Sequence, residues 1–125
     1  MFDKLDAIEE KYEELSGQLG WLHDGPVAVD VELLTRRGLP APDAAALLAT
    51  LADAMAGLAP FEPAAVEQLI DRVGAEAGAN RKRVFMSIRV AVVGGPVSPP
   101  LHETLAALGR ERSVARLRAA SDLLG

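Results

Sequence analysis

The chain has 125 residues, half of them apolar, a quarter charged and 4% aromatic, which suffices for one hydrophobic core of packed helices but not for two full domains. The absence of cysteine excludes disulfides, thiolate metal ligands and cysteine nucleophiles, and no apolar stretch reaches the ~18 residues that a membrane span needs. The formal net charge of −5 excludes a uniformly positive surface. We therefore expect an all-α, soluble protein of the cytoplasm.

The first predicted element is an amphipathic helix over residues 1–20, followed by a helical domain over residues 21–125. Apolar side chains recur in this helix at steps of three and four, and acidic side chains fill the rest of the wheel. The apolar stripe is as narrow as a coiled-coil seam, so the helix either crosses the body of the protein or pairs with a second helix. The residues of the stripe are Phe2, Leu5, Ile8, Tyr12, Leu15 and Leu19.

Three closely spaced helices are predicted next, of which the first is short. A connector over residues 20–29 leads to a helix that Asp30 caps and that ends at Arg37. The two following helices, over residues 42–58 and 63–77, each have proline in the first turn, and Gly78 is expected to terminate the second in a left-handed conformation. Their predicted core residues are Leu47, Leu48, Leu51, Met55, Leu58, Val66, Leu69, Ile70 and Val73.

Residues 84–93 are rich in valine, and propensity alone favours a strand. A single strand with no partner would leave its backbone groups unpaired, so we predict a buried helix instead. Ser98 is predicted as the N-cap of the next helix, with Pro99 at its first position and Gly109 at its end. A last helix over residues 111–124 is expected to bury Val114, Leu117, Leu123 and Leu124 and to expose Arg112, Arg116 and Arg118.

The charges are distributed unevenly along the chain. Residues 1–80 carry fifteen acidic and five basic side chains, whereas residues 81–118 carry eight basic and two acidic ones. A basic third attached to an acidic body is typical of a surface that attracts a polyanion from one direction. A solvated helical face would explain the same pattern without any ligand.

Catalytic and metal-binding chemistry has little support in the sequence. Neither His23 nor His102 has a serine and a carboxylate together at helical spacing, as a catalytic base with an orienting partner would require. The carboxylates of the first helix form a solvated face, and Gly94 and Gly95 are too short a run to cradle a phosphate. We predict no enzymatic activity, no metal and no other cofactor.

Three consecutive motifs carry a family resemblance. They are Ile-Arg-Val-Ala-Val-Val-Gly at 88–94, Val-Ser-Pro-Pro-Leu-His-Glu at 97–103 and Leu-Ala-Ala-Leu-Gly-Arg-Glu-Arg at 105–112. In order and spacing they resemble the carboxy-terminal anticodon-binding region of bacterial glutamyl-tRNA synthetases, and the similarity extends over residues 21–122. The first twenty residues instead resemble the opening helix of bacterial peptide chain release factor one, although the chain has neither its Gly-Gly-Gln loop nor its Pro-x-Thr motif.

The resemblance implies a compact helical bundle of the class I aminoacyl-tRNA synthetase anticodon-binding type. It further implies a noncatalytic module that binds tRNA, a glutamate-accepting one, since the ATP-binding motifs of the synthetase are absent. Arg89 matches the arginine that reads an anticodon base, and Ser98 and Leu101 match residues that line the same pocket, where Leu101 would cover the face of the base. Phosphate contacts are assigned to Arg81, Lys82, Arg83, Arg110, Arg112, Arg116 and Arg118.

Two alternatives remain open at this point. Val93, His102 and the pair Met86–Ser87 depart from the family pattern beside the expected pocket. Arg89 would then pair with a carboxylate on a neighbouring helix, and Ser98 would serve only as a cap. The rival function is a helical interaction module, in which the helix of residues 1–20 binds a protein partner or forms a homodimer and the RNA surface is vestigial.

Overall fold

A computed structural model of the chain describes residues 27–125, which form six α-helices and no strand. The all-α prediction is thereby confirmed for this range. The predicted helix of residues 1–20, with the protein partner or homodimer assigned to it, lies outside the described residues. The helices are α1 (Val31–Arg37), α2 (Ala41–Ala56), α3 (Pro63–Ala77), α4 (Arg81–Val93), α5 (Leu101–Leu108) and α6 (Arg110–Leu124).

The helix boundaries follow local chemistry that the sequence contains. The Asp30 carboxylate accepts a hydrogen bond from the Leu33 amide at 3.0 Å and caps α1. The Asn80 side chain accepts from the amides of Lys82 and Arg83 and caps α4. The predicted left-handed terminator of α3 is confirmed, since Gly78 has φ +67°.

The core lies between α2 and α6, which form the most extensive helix pair, with α3, α4 and α5 packed around them. Leu48, Leu51 and Met55 of α2 and Leu117 of α6 are fully buried. Residues 84–93 form a helix with Ile88 inside the core, so the prediction of a buried helix over a strand is confirmed. None of the six helices of residues 27–125 has both the length and the apolar content for a membrane crossing.

The loop between α4 and α5 differs from the prediction. Ser98 is not an N-cap, because α5 begins only at Leu101 and its N-cap position is Pro100, which makes no side-chain cap. A residue before proline avoids the helical region, so Pro99 cannot open the helix while Pro100 follows it. Leu123, predicted to be buried in α6, is 59% exposed.

The chain ahead of α1 crosses the end of α4. Gly94, directly after α4, has φ +84°, and a Cβ atom there would lie 2.7 Å from Val27 Cγ1 and 2.8 Å from the Ala28 carbonyl oxygen. Both the backbone conformation and the close approach require glycine at this position. The contact fixes residues 27–28 against the loop that carries Ser98.

Candidate nucleic-acid interface

One face of α4 is directed outward and carries the arginine singled out by the sequence. Lys82, Met86, Arg89 and Val93 recur at steps of four, three and four, so they form one stripe along the helix. All four are exposed or half-buried, whereas Ile88 on the opposite side is in the core. The stripe therefore offers a cationic and apolar surface to a ligand.

Arg89 and Ser98 are brought together by the return of the chain after α4. The Arg89 Nε atom donates to the Ser98 Oγ atom at 2.9 Å, and the Ser98 hydroxyl donates to the Pro99 carbonyl oxygen at 2.8 Å. Since its one proton is engaged by Pro99, the hydroxyl serves Arg89 as an acceptor. Arg89 forms no ion pair within residues 27–125, so the alternative of a carboxylate partner is wrong for this part of the chain.

This arrangement orients the Arg89 guanidinium through one nitrogen only. The two terminal nitrogens have no hydrogen-bond acceptor among residues 27–125 and keep their donors for a ligand. Their planar, paired geometry matches two acceptors on the edge of a nucleobase or two oxygens of a phosphate. Ser98 thus positions the arginine rather than capping a helix.

Leu101 does not take part in the surface as predicted. Covering the face of a base requires an exposed side chain, and Leu101 is 2% exposed within the core. As the first residue of α5 it points inward, where it packs with the other buried leucines. Its contribution to the site is to hold the start of α5, and with it the loop of Ser98.

A second group of cations lies where the end of α1 meets the start of α4. The Arg83 Nη1 atom donates to the Gly38 carbonyl oxygen at 3.2 Å, which joins the first turn of α4 to the residue after Arg37. We call this group the basic corner; it consists of Arg36, Arg37, Lys82 and Arg83, all exposed. Arg36 and Arg37 were missed from the sequence because a basic pair in the last turn of a helix is explained by the helix dipole alone.

A buried serine holds the basic corner together. The Ser87 hydroxyl accepts from the Leu39 amide at 2.9 Å and donates to the Arg83 carbonyl oxygen at 2.8 Å. Ser87 is fully buried, so no water competes for these bonds. The segment after α1 is thereby fixed to α4, the helix that carries Arg89 on its outward face.

The arginines of α6 are engaged with the protein itself. Arg110 donates to the Leu58 carbonyl oxygen, and its Cζ atom lies 5.9 Å from the centroid of the Phe61 ring. Arg112 donates through Nε to the Leu108 carbonyl oxygen at 2.6 Å. Arg118 forms an exposed ion pair with Asp53 at 3.3 Å. Arg110 and Arg112 are half-buried, and Arg118 is paired with a carboxylate. These three side chains are therefore less available to a phosphate than the exposed cations at the start of α4.

Arg116 departs furthest from the prediction, since it is 4% exposed instead of lying on the surface. Its Nη1 atom donates to the Val92 carbonyl oxygen at 2.7 Å, in the last turn of α4. Burial, and secondarily the positive charge of Arg112, lowers the pKa of Arg116 from its ordinary value. The buried arc of α6 is centred on Ser113 and Ala120, and it extends far enough around the helix to include Arg116.

Two other features of the described residues are less suited to a nucleic-acid ligand or a cofactor. No group of three or more His, Asp or Glu residues within 27–125 is arranged to hold a metal ion. A cleft of about 530 Å³ between α2 and α3 is lined by Asp43 and Glu76 together with apolar residues. Those carboxylates would repel a polyanion, so the cationic face of α4 remains the candidate interface.

Comparison with known proteins identifies related sequences. The sequence model of a family described as anticodon binding domain matches residues 9–121. The glutamate–tRNA ligase of Mycobacterium marinum is 39% identical over 108 residues, which are 86% of this chain and 22% of that protein. The glutamate–tRNA ligase of Roseiflexus sp. strain RS-1 is 45% identical over 85 residues, 62% of this chain and 16% of that protein.

A solved structure shares the fold. The crystal structure of a glutamate tRNA ligase from Elizabethkingia meningosepticum in complex with its amino acid superimposes with a TM-score of 0.78 and 20% identity, over 90% of this chain and 22% of that one. The chain thus spans about a fifth of the length of the relatives it matches. The family match begins at residue 9, inside the segment predicted as a separate N-terminal helix, and that boundary stays a prediction.

Proposed function

Because the chain belongs to the family of anticodon-binding domains, we propose that it binds the anticodon loop of a tRNA and that Arg89 contacts an unstacked base there. The observation that carries the proposal is the bond from Arg89 Nε to Ser98 Oγ, which orients the guanidinium and leaves its two terminal nitrogens without an acceptor among residues 27–125. Bases of single-stranded loops are read by hydrogen bonds to their exposed edges. The similarity to glutamate–tRNA ligases supports a glutamate-accepting tRNA as the partner.

Affinity comes from the cations around this contact. The basic corner provides four exposed positive charges near the amino-terminal end of α4, where Lys82 and Arg83 precede Arg89 by about two helical turns. Phosphate contacts of this kind raise affinity and salt dependence without reading sequence. The proposal assigns no chemical step to the chain and retains the cytoplasmic location predicted from composition. Arg116 and Leu101, being buried, are left out of the interface.

Salt titration tests the electrostatic part. Each phosphate that a cation neutralises contributes about −0.7 to −0.9 to the slope of log K against log salt, so the four side chains of the basic corner predict a slope of about −3. Binding of a fluorescent anticodon stem-loop is measured by anisotropy between low and physiological salt. Absence of binding at low salt would refute the proposal.

Substitution of Arg89 tests the base contact. Arg89→Ala should weaken a glutamate-tRNA anticodon stem-loop by about 5- to 150-fold, the equivalent of about 1–3 kcal/mol for one good base contact. An unrelated stem-loop should lose less. Arg72→Ala is the matched control. Arg72 is an exposed arginine on α3, and within residues 27–125 its only partner is Glu76, so the substitution removes one positive charge away from the candidate interface. If Arg89→Ala lowers the affinity for both stem-loops equally, Arg89 contacts a phosphate and not a base.

A further inference from the structure

We propose that Arg81 and Phe85 form a stacking platform for a second unpaired base of the same RNA, so that Arg81 binds a base and not a phosphate. This inference rests on the proposed function and extends it to a second subsite on α4. Arg81, Phe85 and Arg89 are spaced four residues apart and therefore follow one another along the same side of the helix. Eight residues of helix separate the two arginines by about 12 Å.

The Arg81 guanidinium is fixed from two directions. Its Cζ atom lies 4.7 Å from the centroid of the Phe85 ring, and its Nη1 atom lies 2.5 Å from the Asp71 carboxylate on α3. The side chain nevertheless remains 63% exposed. A planar cation that is held at its back and at its edge presents a rigid open surface, and bases stack on arginine guanidinium planes.

The ion pair with Asp71 favours a base over a phosphate as the ligand of Arg81. A phosphate bound at Nη1 would come close to the Asp71 carboxylate, and the two negative charges would repel each other. Stacking leaves the ion pair intact, because it uses the face of the guanidinium rather than its edge. Lys82, the next residue, has no carboxylate partner within residues 27–125 and is the better phosphate contact.

The space beside the platform is consistent with a flat ligand. A cavity of about 230 Å³ adjoins the two side chains and is lined by Asp71, Ala75, Arg81 and Phe85 among others. Its walls are mostly small and apolar, apart from the ion pair itself. Because the guanidinium is already ordered, stacking costs little additional side-chain entropy.

The decisive comparison is Arg81→Lys, which keeps the charge and removes the planar group. A base stacked on an aromatic ring contributes about 5-fold or more to affinity, and we expect the same lower limit for the guanidinium plane. This variant should therefore bind the anticodon stem-loop at least about 5-fold more weakly than the parent, with the same salt slope. Lys82→Ala is the control for a phosphate contact; it should lower the steepness of the salt slope by about 0.7. Parent-like affinity of Arg81→Lys would overturn the proposal.

Removing bases from the RNA locates the subsite. A series of stem-loops is prepared, each with a single abasic nucleotide at a different loop position. The affinity of each stem-loop is measured for the parent protein and for Arg81→Lys. At one position the difference between the two proteins should disappear, and that position should differ from the one at which Arg89→Ala loses its effect. An equal difference at every position would overturn the platform. If Arg89→Ala still weakens binding in that case, the proposed function stands; if no stem-loop binds at all, both fail.

Discussion

Ser87→Ala measures how much the hydrogen bond between the Leu39 amide and the Ser87 hydroxyl, which fixes the segment after α1 to α4, contributes to stability. The substitution removes one oxygen from a fully buried site and leaves the rest of the side chain in place. The Leu39 amide, whose acceptor is the Ser87 hydroxyl at 2.9 Å, then lacks a partner in a position that water does not reach. A buried donor without an acceptor costs about 1–3 kcal/mol.

Ser113→Ala is the matched control for this prediction. Ser113 is also fully buried, and its hydroxyl donates to the Leu105 carbonyl oxygen at 3.1 Å. That carbonyl already accepts from the Gly109 amide, so the control variant leaves no backbone group unpaired. Its expected cost is about 0.5–1 kcal/mol, the net value of one ordinary hydrogen bond.

Urea unfolding followed by circular dichroism measures both variants. The midpoint of Ser87→Ala should fall further than that of Ser113→Ala at an unchanged slope, with free energies of unfolding that differ by about 1 kcal/mol. Equal midpoints would show that the Leu39 amide finds another acceptor. The role given to Ser87 in holding the basic corner would then be wrong.

Two further pairs of variants test the packing around the site. Gly38→Ala should cost about 1–3 kcal/mol, because its Cβ would collide with the Ser87 hydroxyl and lie 2.5 Å from the Leu34 carbonyl oxygen. Gly57→Ala, whose Cβ meets nothing closer than 4.0 Å, should be neutral or stabilising by up to ~1 kcal/mol in the same urea assay. Arg116→Ala should destabilise by about 2–5 kcal/mol through lost packing and a lost donor, and Arg118→Ala by about 0.5 kcal/mol or less; similar thermal midpoints would contradict the burial of Arg116.

The helices of the described range could be predicted from the sequence, because the capping residues and the apolar periodicity indicated the same helix positions. Asp30, Gly78 and the apolar stripes of α2 and α3 each satisfy a local rule, and no tertiary contact opposes them. For α4, residue propensity favoured a strand. The absence of a partner strand favoured a helix instead, and that prediction is confirmed. The motifs that carry the family resemblance placed Arg89 and Ser98 beside one pocket, and the structure brings the two side chains together through a hydrogen bond that the sequence did not predict.

The parts that were missed depend on contacts between distant residues. Arg116 resembles its exposed neighbours in sequence, and the small residues at the centre of the α6 face, Ser113 and Ala120, do not reveal a core position. The basic corner needs the approach of α1 to α4, which Arg83 and Ser87 create across more than forty residues of chain. Ser98 was misassigned because two adjacent prolines move the start of α5.

The tight crossing at Gly94 couples two parts of the molecule that are far apart in sequence. Residues 27–28 lie against Gly94, the point where α4 ends and the loop of Ser98 begins. Because the crossing leaves no room for a side chain between the two segments, residues 27–28 and the start of the loop of Ser98 hold each other in place, and a substitution of Gly94 would loosen both at once.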